Sequence, residues 1–228
     1  MLSCVRSENG LRPNNEDYTK SLQIGGYKLF VIADGMGGEK KGEVASKIAV
    51  ETLCDVVEDA LTNNELDDSA LEELFTNAYQ KANKEIVQYC ADNGLRESNM
   101  GTTLTAMLVK ERKAYVAHIG DTRAYLKHGS ALTRLTNDHV AEGNSSELTK
   151  YLGTNSYVYP DFYKYNIMYG DLIMLCSDGV YGHLTDTKIV ECLKLHNKLE
   201  GCLDNLFQAA KNSGSEDNLT ALLANIRP

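Results

Sequence analysis

Apolar positions along the chain fall into two alternating styles. Residues 18–24 and 27–33 read as strands, and Gly25-Gly26 between them supplies the positive φ that a tight hairpin turn needs. The second strand is an apolar run over 29–33 that stops at Asp34-Gly35-Met36-Gly37-Gly38. A helix-like pattern begins near Glu39, and from about 42 to 61 Val44, Ala45, Ile48, Leu53, Val56, Val57 and Ala60 recur at helical spacing. A second helix is predicted over 69–91 on the stripe Leu71, Leu74, Phe75, Ala78, Ala82, Ile86 and Tyr89, with Asn93-Gly94 as its stop. Short β-rich runs follow at 102–109, 114–119, 123–127 and 131–135, a meander that implies antiparallel pairing. Residues 136–156 read as polar loop. Strands at 162–168 and 172–176, helices at 186–197 and 199–212 and a last strand at 219–226 complete the order. Residues 1–9 alternate weakly as a first strand, and 10–15 form a loop. Strands, two helices, strands, two helices and a strand describe an α+β chain with antiparallel sheets, not alternating βαβ units.

The 228 residues fit one domain, 1–228, with no repeat or linker, and 43% apolar content is enough for a core. A net charge of −9 argues against nucleic acid, because the phosphate backbone would be repelled. Lys40-Lys41 reads as a solvated pair in a first helical turn. Six cysteines show no CxxC pairing, most of them lie in apolar periodic runs, and they read as structural thiols of a reducing compartment. No secretory leader pattern opens the chain and no apolar run approaches about 18 residues, so a soluble cytoplasmic protein without a membrane partner is expected.

Four aspartates share one context. Asp34 and Asp121 follow apolar strands, Asp178 follows the run 172–177, and Asp217 immediately precedes the last strand. Convergence of such carboxylates would raise their pKa values unless a cation compensated. Oxygen-only donors with no competing His/Cys cluster suit Mg²⁺ or Mn²⁺, so a binuclear site is expected.

Arg12-x-x-Asn15-Glu16-Asp17, Asp34-Gly-Met-Gly-Gly, Gly101-Thr-Thr, Gly120-Asp-Thr-Arg-Ala-Tyr, Ser177-Asp-Gly and Asp217-Asn-Leu-Thr stand in order along nearly the whole chain. In this the chain resembles the metal-dependent serine/threonine protein phosphatases of type 2C, above all their compact bacterial members. The resemblance implies a four-layer α/β/β/α sandwich of two antiparallel sheets flanked by helix pairs, with metals in a channel at one end. It implies that Asp34 bridges two Mn²⁺ or Mg²⁺ ions, that the Gly35 carbonyl holds the first, and that Asp178 and Asp217 complete the second. Asp121 with Asp178 would form a weaker third site. Glu16 would act through metal-bound water, Asp17 would stand behind the ligands, and Arg12 would grip the substrate phosphate through its planar fork. A bridging water made nucleophilic by the cations would attack phosphorus directly. Phosphorylated proteins would be the substrates, a Ser/Thr kinase the opposing activity, and the enzyme a monomer. Two departures stand out. Met36 occupies a position where many eukaryotic relatives carry a His thought to protonate the leaving oxygen. The flap beside the channel is also short, with only residues 140–151 left.

Other readings compete. Cys90 and Arg96 have the Cys-x5-Arg spacing of cysteine-dependent phosphatases, but Cys90 ends a helix, where the dipole has the wrong sign for an anion. Gly35, Gly37, Gly38 and Gly42 suggest a nucleotide loop, but Gly42 is followed by Glu, not by the P-loop lysine. His118 and His139 are candidate general acids, although a strand histidine is more often packed, and His139 lies nearer the channel. Tyr157, Tyr159, Tyr163, Tyr165 and Tyr169 alternate as in strand packing. The alternative function is an inactive or weak pseudophosphatase serving as a binding module.

Overall fold

A computed structural model describes residues 1–37, 41–95, 100–194 and 198–227. The elements in order are β1 (Leu2–Glu8), β2 (Asp17–Ile24), β3 (Tyr27–Met36), α1 (Lys41–Leu61), α2 (Asp68–Asp92), β4 (Gly101–Thr102), β5 (Leu104–Lys110) and β6 (Lys113–Ile119). There follow β7 (Arg123–His128), β8 (Ala131–Arg134), β9 (Val140–Ala141), β10 (Asn144–Leu148), β11 (Asp161–Asn166) and β12 (Leu172–Cys176). The chain closes with α3 (Asp178–Tyr181), α4 (Asp186–Cys192), α5 (Leu199–Asn212) and β13 (Leu219–Asn225).

Two antiparallel sheets form the centre, ordered β1-β13-β12-β7-β8 and β11-β6-β5-β3-β2, with β4 paired to the end of β3. The pleat assigns each strand's residues to two different cores. Leu29, Val31 and Ala33 of β3 pack under α1 and α2. Phe30 and Ile32 point the other way and meet Leu175 and Leu222 of the facing sheet. On the far side Met174, Cys176 and Leu223 pack against Leu203 and Phe207 of α5. Layers therefore run helix, sheet, sheet, helix, as expected. Central strands are mostly apolar because both their faces are buried. At the β2–β3 hairpin Ile24 pairs with Tyr27, and Gly25 takes the positive φ of 53°. The α2 helix starts one residue before its expected bound, because Asp67 caps it by accepting from the Ala70 amide at 2.8 Å.

Among the described residues the structure also departs from the sequence pattern elsewhere. The 136–156 stretch is not all loop: β9 and β10 pair as a two-stranded ribbon. The expected strand 162–168 ends at Asn166, and Met168 is half-exposed in the turn that follows. The helix expected over 186–197 ends at Cys192, with 195–197 outside the described residues. Strand-like alternation holds for Tyr163 and Tyr165 in β11, whereas Tyr157, Tyr159 and Tyr169 are exposed and outside strands. Asn83 of α2 holds the segment carrying Tyr157, donating to the Thr154 carbonyl at 2.8 Å and accepting from the Gly153 amide at 2.8 Å.

The expected helix start near Glu39, along with Gly38, Lys40 and Arg96, lies outside the described residues. Cys90 is buried in the last turn of α2, not at a helix N-terminus. Cys54, Cys90, Cys176, Cys192 and Cys202 are buried and Cys4 partly so, as packing thiols should be. Among the described residues no helix is long and apolar enough to cross a membrane.

His118 is fully buried in β6. Its Nε2 donates to the Asn137 carbonyl at 3.0 Å, so Nδ1 accepts from the Thr105 hydroxyl at 2.8 Å. Burial first, and His139 beside it, push its pKa down to about 4. An unfolded histidine titrates near 6.5, so between these values the unfolded chain binds a proton that the folded one refuses. This contribution to stability is full above about pH 6.5 and is lost as pH falls toward 4, a change on the order of 3 kcal/mol. Urea melts from pH 7.5 to 4.5 should fall less steeply for His118→Gln than for wild type. Equal slopes would show that His118 is not held neutral.

Candidate active site

The inter-sheet core changes character at one end of the sandwich. The face of β3 that buries Ile32 continues to Asp34, and Asp17 is its register partner on β2. On the facing sheet, the side of β12 that buries Leu175 continues to Ser177, and that of β13 runs from Leu222 to Thr220. Apolar residues thus give way to polar ones on both walls at the same level. Ser177 closes the floor by donating its hydroxyl to Asp17 Oδ2 at 2.7 Å, while accepting from the Thr220 amide at 3.1 Å.

Above this floor opens a cavity of about 550 Å³. Its wall brings together Arg12, Glu16, Asp34, Gly35, Asp121, Asp178 and Asp217, seven of the eight residues singled out from the sequence. Asp17, the eighth, is buried behind it. Each wall residue has its own support. The Asp34 amide donates to Thr103 Oγ1 at 2.8 Å and its carbonyl accepts from Thr102 Oγ1 at 2.9 Å, which locks the end of β3. Gly35 is required by close approach: a Cβ there would lie 2.1 Å from the Gly42 carbonyl oxygen and 2.7 Å from that of Glu16. Asp178 opens α3 directly after β12, a one-turn helix that the sequence pattern does not show. From the same turn Tyr181 donates to the Asp121 carbonyl at 2.9 Å, which ties the Asp121 loop to the Asp178 helix. The Glu16 carboxylate accepts from the Gly42 amide in the first turn of α1, where the helix dipole favours an anion.

The electrostatics are those of crowded acids. Asp34 is held well above the usual carboxylate range, first by burial and then by Asp17, Asp178, Asp121 and Asp217. Burial and then Asp217 raise Asp178, opposed by a hydrogen bond shared with Asp34. Asp121 is pushed up to about 7 by burial and then by Asp178. Asp17 also reaches about 7 through burial, although its hydrogen bond from Ser177 opposes the rise. Positive charge nearby comes from Arg12 at the rim, whose Nη2 donates to Asp217 Oδ2 at 2.8 Å.

The donor set fits a hard divalent cation. It is oxygen-only, its carboxylates repel one another, and the buried Asp17 Oδ1 has no hydrogen-bond partner among the described residues. Among the described residues no three His, Cys, Asp or Glu side chains close into a ready-made cage. The carboxylates instead ring an open cavity, which suits Mg²⁺ or Mn²⁺. Mg²⁺ keeps several waters and takes only one or two carboxylates from the protein.

Neither His118 nor His139 lines the cavity. His139 Nδ1 accepts from the Gly120 amide at 3.0 Å and its Nε2 donates to Asp161 at 3.2 Å, so its ring is spent on structure. Met36 does line the wall, and so does Leu148 of the ribbon, placing the short flap at the mouth. Thr103, Ser177 and Asn218 also serve the site without having been assigned a role from the sequence. For Ser177 the signal was there, because β12's alternation turns it to the same face as Leu175.

The sequence profile of the protein phosphatase 2C family matches residues 8–224. The serine/threonine phosphatase Stp of Listeria monocytogenes is 32% identical over 237 residues, covering 96% of this chain and 93% of its own. The crystal structure of the serine/threonine phosphatase PstP/Ppp of Mycobacterium tuberculosis has a TM-score of 0.87 at 28% identity, covering 100% of this chain and 99% of that one. A structure of the PstP catalytic domain in complex with two manganese ions has a TM-score of 0.82 at 28% identity, covering 100% and 98%. A family match from β1 to β13, on a chain whose acidic residues ring one cavity, settles the kinship: this chain belongs to the protein phosphatase 2C family.

Proposed function

We propose that this chain hydrolyses phosphoserine and phosphothreonine in proteins, in the cytoplasm, as a monomer opposing a Ser/Thr kinase. The observation that carries the reading is the meeting of Asp34, Asp121, Asp178 and Asp217 around one cavity with Arg12 at its rim. Asp34, the Gly35 carbonyl, Asp178 and Asp217 would hold two Mn²⁺ or Mg²⁺ ions, and Asp121 with Asp178 a third. When bound, these cations supply the positive charge that makes water nucleophilic near neutral pH and stabilises the phosphoryl oxygens.

The chain's own residues do the rest. Arg12 presents a guanidinium fork that matches two phosphate oxygens, and its pairing with Asp217 aims it at the cavity. Thr102 and Thr103 hold the Asp34 backbone rigid, so the carboxylate on which the site centres does not drift. Ser177 keeps Asp17 fixed beneath it. The Met36 thioether has no proton to give, so it shapes the wall without serving as an acid. The short ribbon leaves the cavity open to a protein surface, with Leu148 at its edge. The inactive-module alternative drew only on the short flap, whereas the lining of the cavity by Glu16, Asp34, Asp121, Asp178 and Asp217 supports the enzymatic reading.

Purified protein should turn over p-nitrophenyl phosphate and a phosphothreonine peptide with Mn²⁺ and stop on addition of EDTA. Absence of turnover with any divalent metal would overturn the enzymatic reading. Asp34→Asn should lower kcat by about a thousandfold, because cation charge held at this carboxylate carries the chemistry. Arg12→Ala should chiefly raise KM and spare much of kcat with the small substrate. An Asp34→Asn variant of near wild-type kcat would remove that residue from the centre of the site.

A further inference from the structure

The guanidinium proposed to grip phosphate is poorly held by packing. The Arg12 side chain is 59% exposed, and it projects from residues 9–15, a loop between β1 and β2. Apart from its pairing with Asp217, its direction comes from the loop's backbone. That backbone is sewn to the start of β13 by one side chain, Asn218, which is itself buried. Asn218 Nδ2 donates to the Asn9 carbonyl at 2.9 Å and to the Asn14 carbonyl at 2.8 Å, one on each side of Arg12. Its Oδ1 accepts from the Glu16 amide at 2.8 Å. Two carbonyls and one amide fix which end of the side chain is nitrogen, and all three bonds are lost together if it is truncated.

The same junction is closed from other directions. The Arg12 amide donates to the Asn9 carbonyl at 3.2 Å, so Arg12 and Asn218 share one acceptor. The Leu11 amide donates to the Glu216 carbonyl at 3.1 Å. Gly10, at φ 63°, lies so close to β13 that a Cβ would stand 2.0 Å from the Asp217 carbonyl oxygen. Asp217 in turn accepts from Arg12 on Oδ2 and from the Asn218 amide on Oδ1, each at 2.8 Å.

We infer that Asn218 is a positioning residue for phosphate recognition: it clamps both ends of the 9–15 loop and thereby sets where Arg12 meets the substrate. It touches neither phosphate nor the reacting atoms. The inference rests on the reading of Arg12 as the phosphate-binding group.

The test is a double-mutant cycle between Asn218→Ala and Arg12→Ala. It reads the affinity of the Mn²⁺-loaded protein for inorganic phosphate by calorimetry and KM for p-nitrophenyl phosphate. Asn218→Ala alone should weaken phosphate binding and raise KM by about tenfold, since a displaced contact of this kind is costly. In the Arg12→Ala background the same change should matter by less than about twofold, because the group it positions is gone. Manganese affinity should stay within about twofold of wild type. Effects that multiply in the double variant, unchanged phosphate affinity in Asn218→Ala, or a loss confined to manganese affinity would each overturn the inference. Should Asn218→Ala not fold, Gly10→Ala displaces the same loop from its other contact and must show the same dependence on Arg12. Wild-type turnover, measured alongside, reports separately on the phosphatase reading.

Discussion

Repulsion among aspartates at the end of an apolar gap is the constraint around which this fold is arranged. Carboxylates crowded away from water favour protonation, and Asp34, Asp121 and Asp178 are all raised for that reason. Nothing in the local chain would keep them together. They are held by distant elements: the end of β3 locked by Thr102 and Thr103, the β12–α3 junction, and the start of β13. The four-layer packing supplies the rigidity, because strands buried on both faces have no room to retreat from one another. A divalent cation held there would reverse the balance, since carboxylates must give up their protons to bind it.

Much of this could be read from the sequence. The hairpin, both long helices and the apolar strands that end in aspartate are periodic patterns, and each strand's alternation continues into the site. Asp17 and Ser177 could be placed in the same way, since they share faces with Asp34 and Leu175. The ribbon of β9 and β10 was not legible, because a two-residue strand and a short polar one show no alternation. The turn of α3 was hidden too, since one helical turn leaves no period to detect. Asn218 illustrates a deeper limit. Its amide acts on carbonyls some 200 positions away, and a backbone acceptor leaves no mark on the residue that carries it. The Cys90 spacing, conversely, was legible but carried no catalytic geometry, because the fold puts that thiol at the wrong end of a helix.

The site divides labour between rigid and accessible parts of the chain. Groups that must tolerate mutual repulsion stand on or beside central strands, where displacement would break sheet hydrogen bonds. Arg12, proposed to meet an external phosphate, stands on a loop, where it reaches solvent. Such a loop would ordinarily cost affinity through its own freedom, since ordering it on binding opposes association. Hydrogen bonding of both its ends to Asn218 removes that freedom beforehand and registers the loop against the turn into β13 that carries Asp217.

The same geometry constrains how the leaving oxygen is protonated. Imidazole is the usual proton donor near neutral pH, but neither His118 nor His139 lines the cavity. His118 is locked neutral between Thr105 and Asn137, and His139 is engaged by Gly120 and Asp161. Met36 stands on the wall with no proton to offer. Among the described residues of the wall no imidazole offers a proton, which leaves solvent within the cavity as its source.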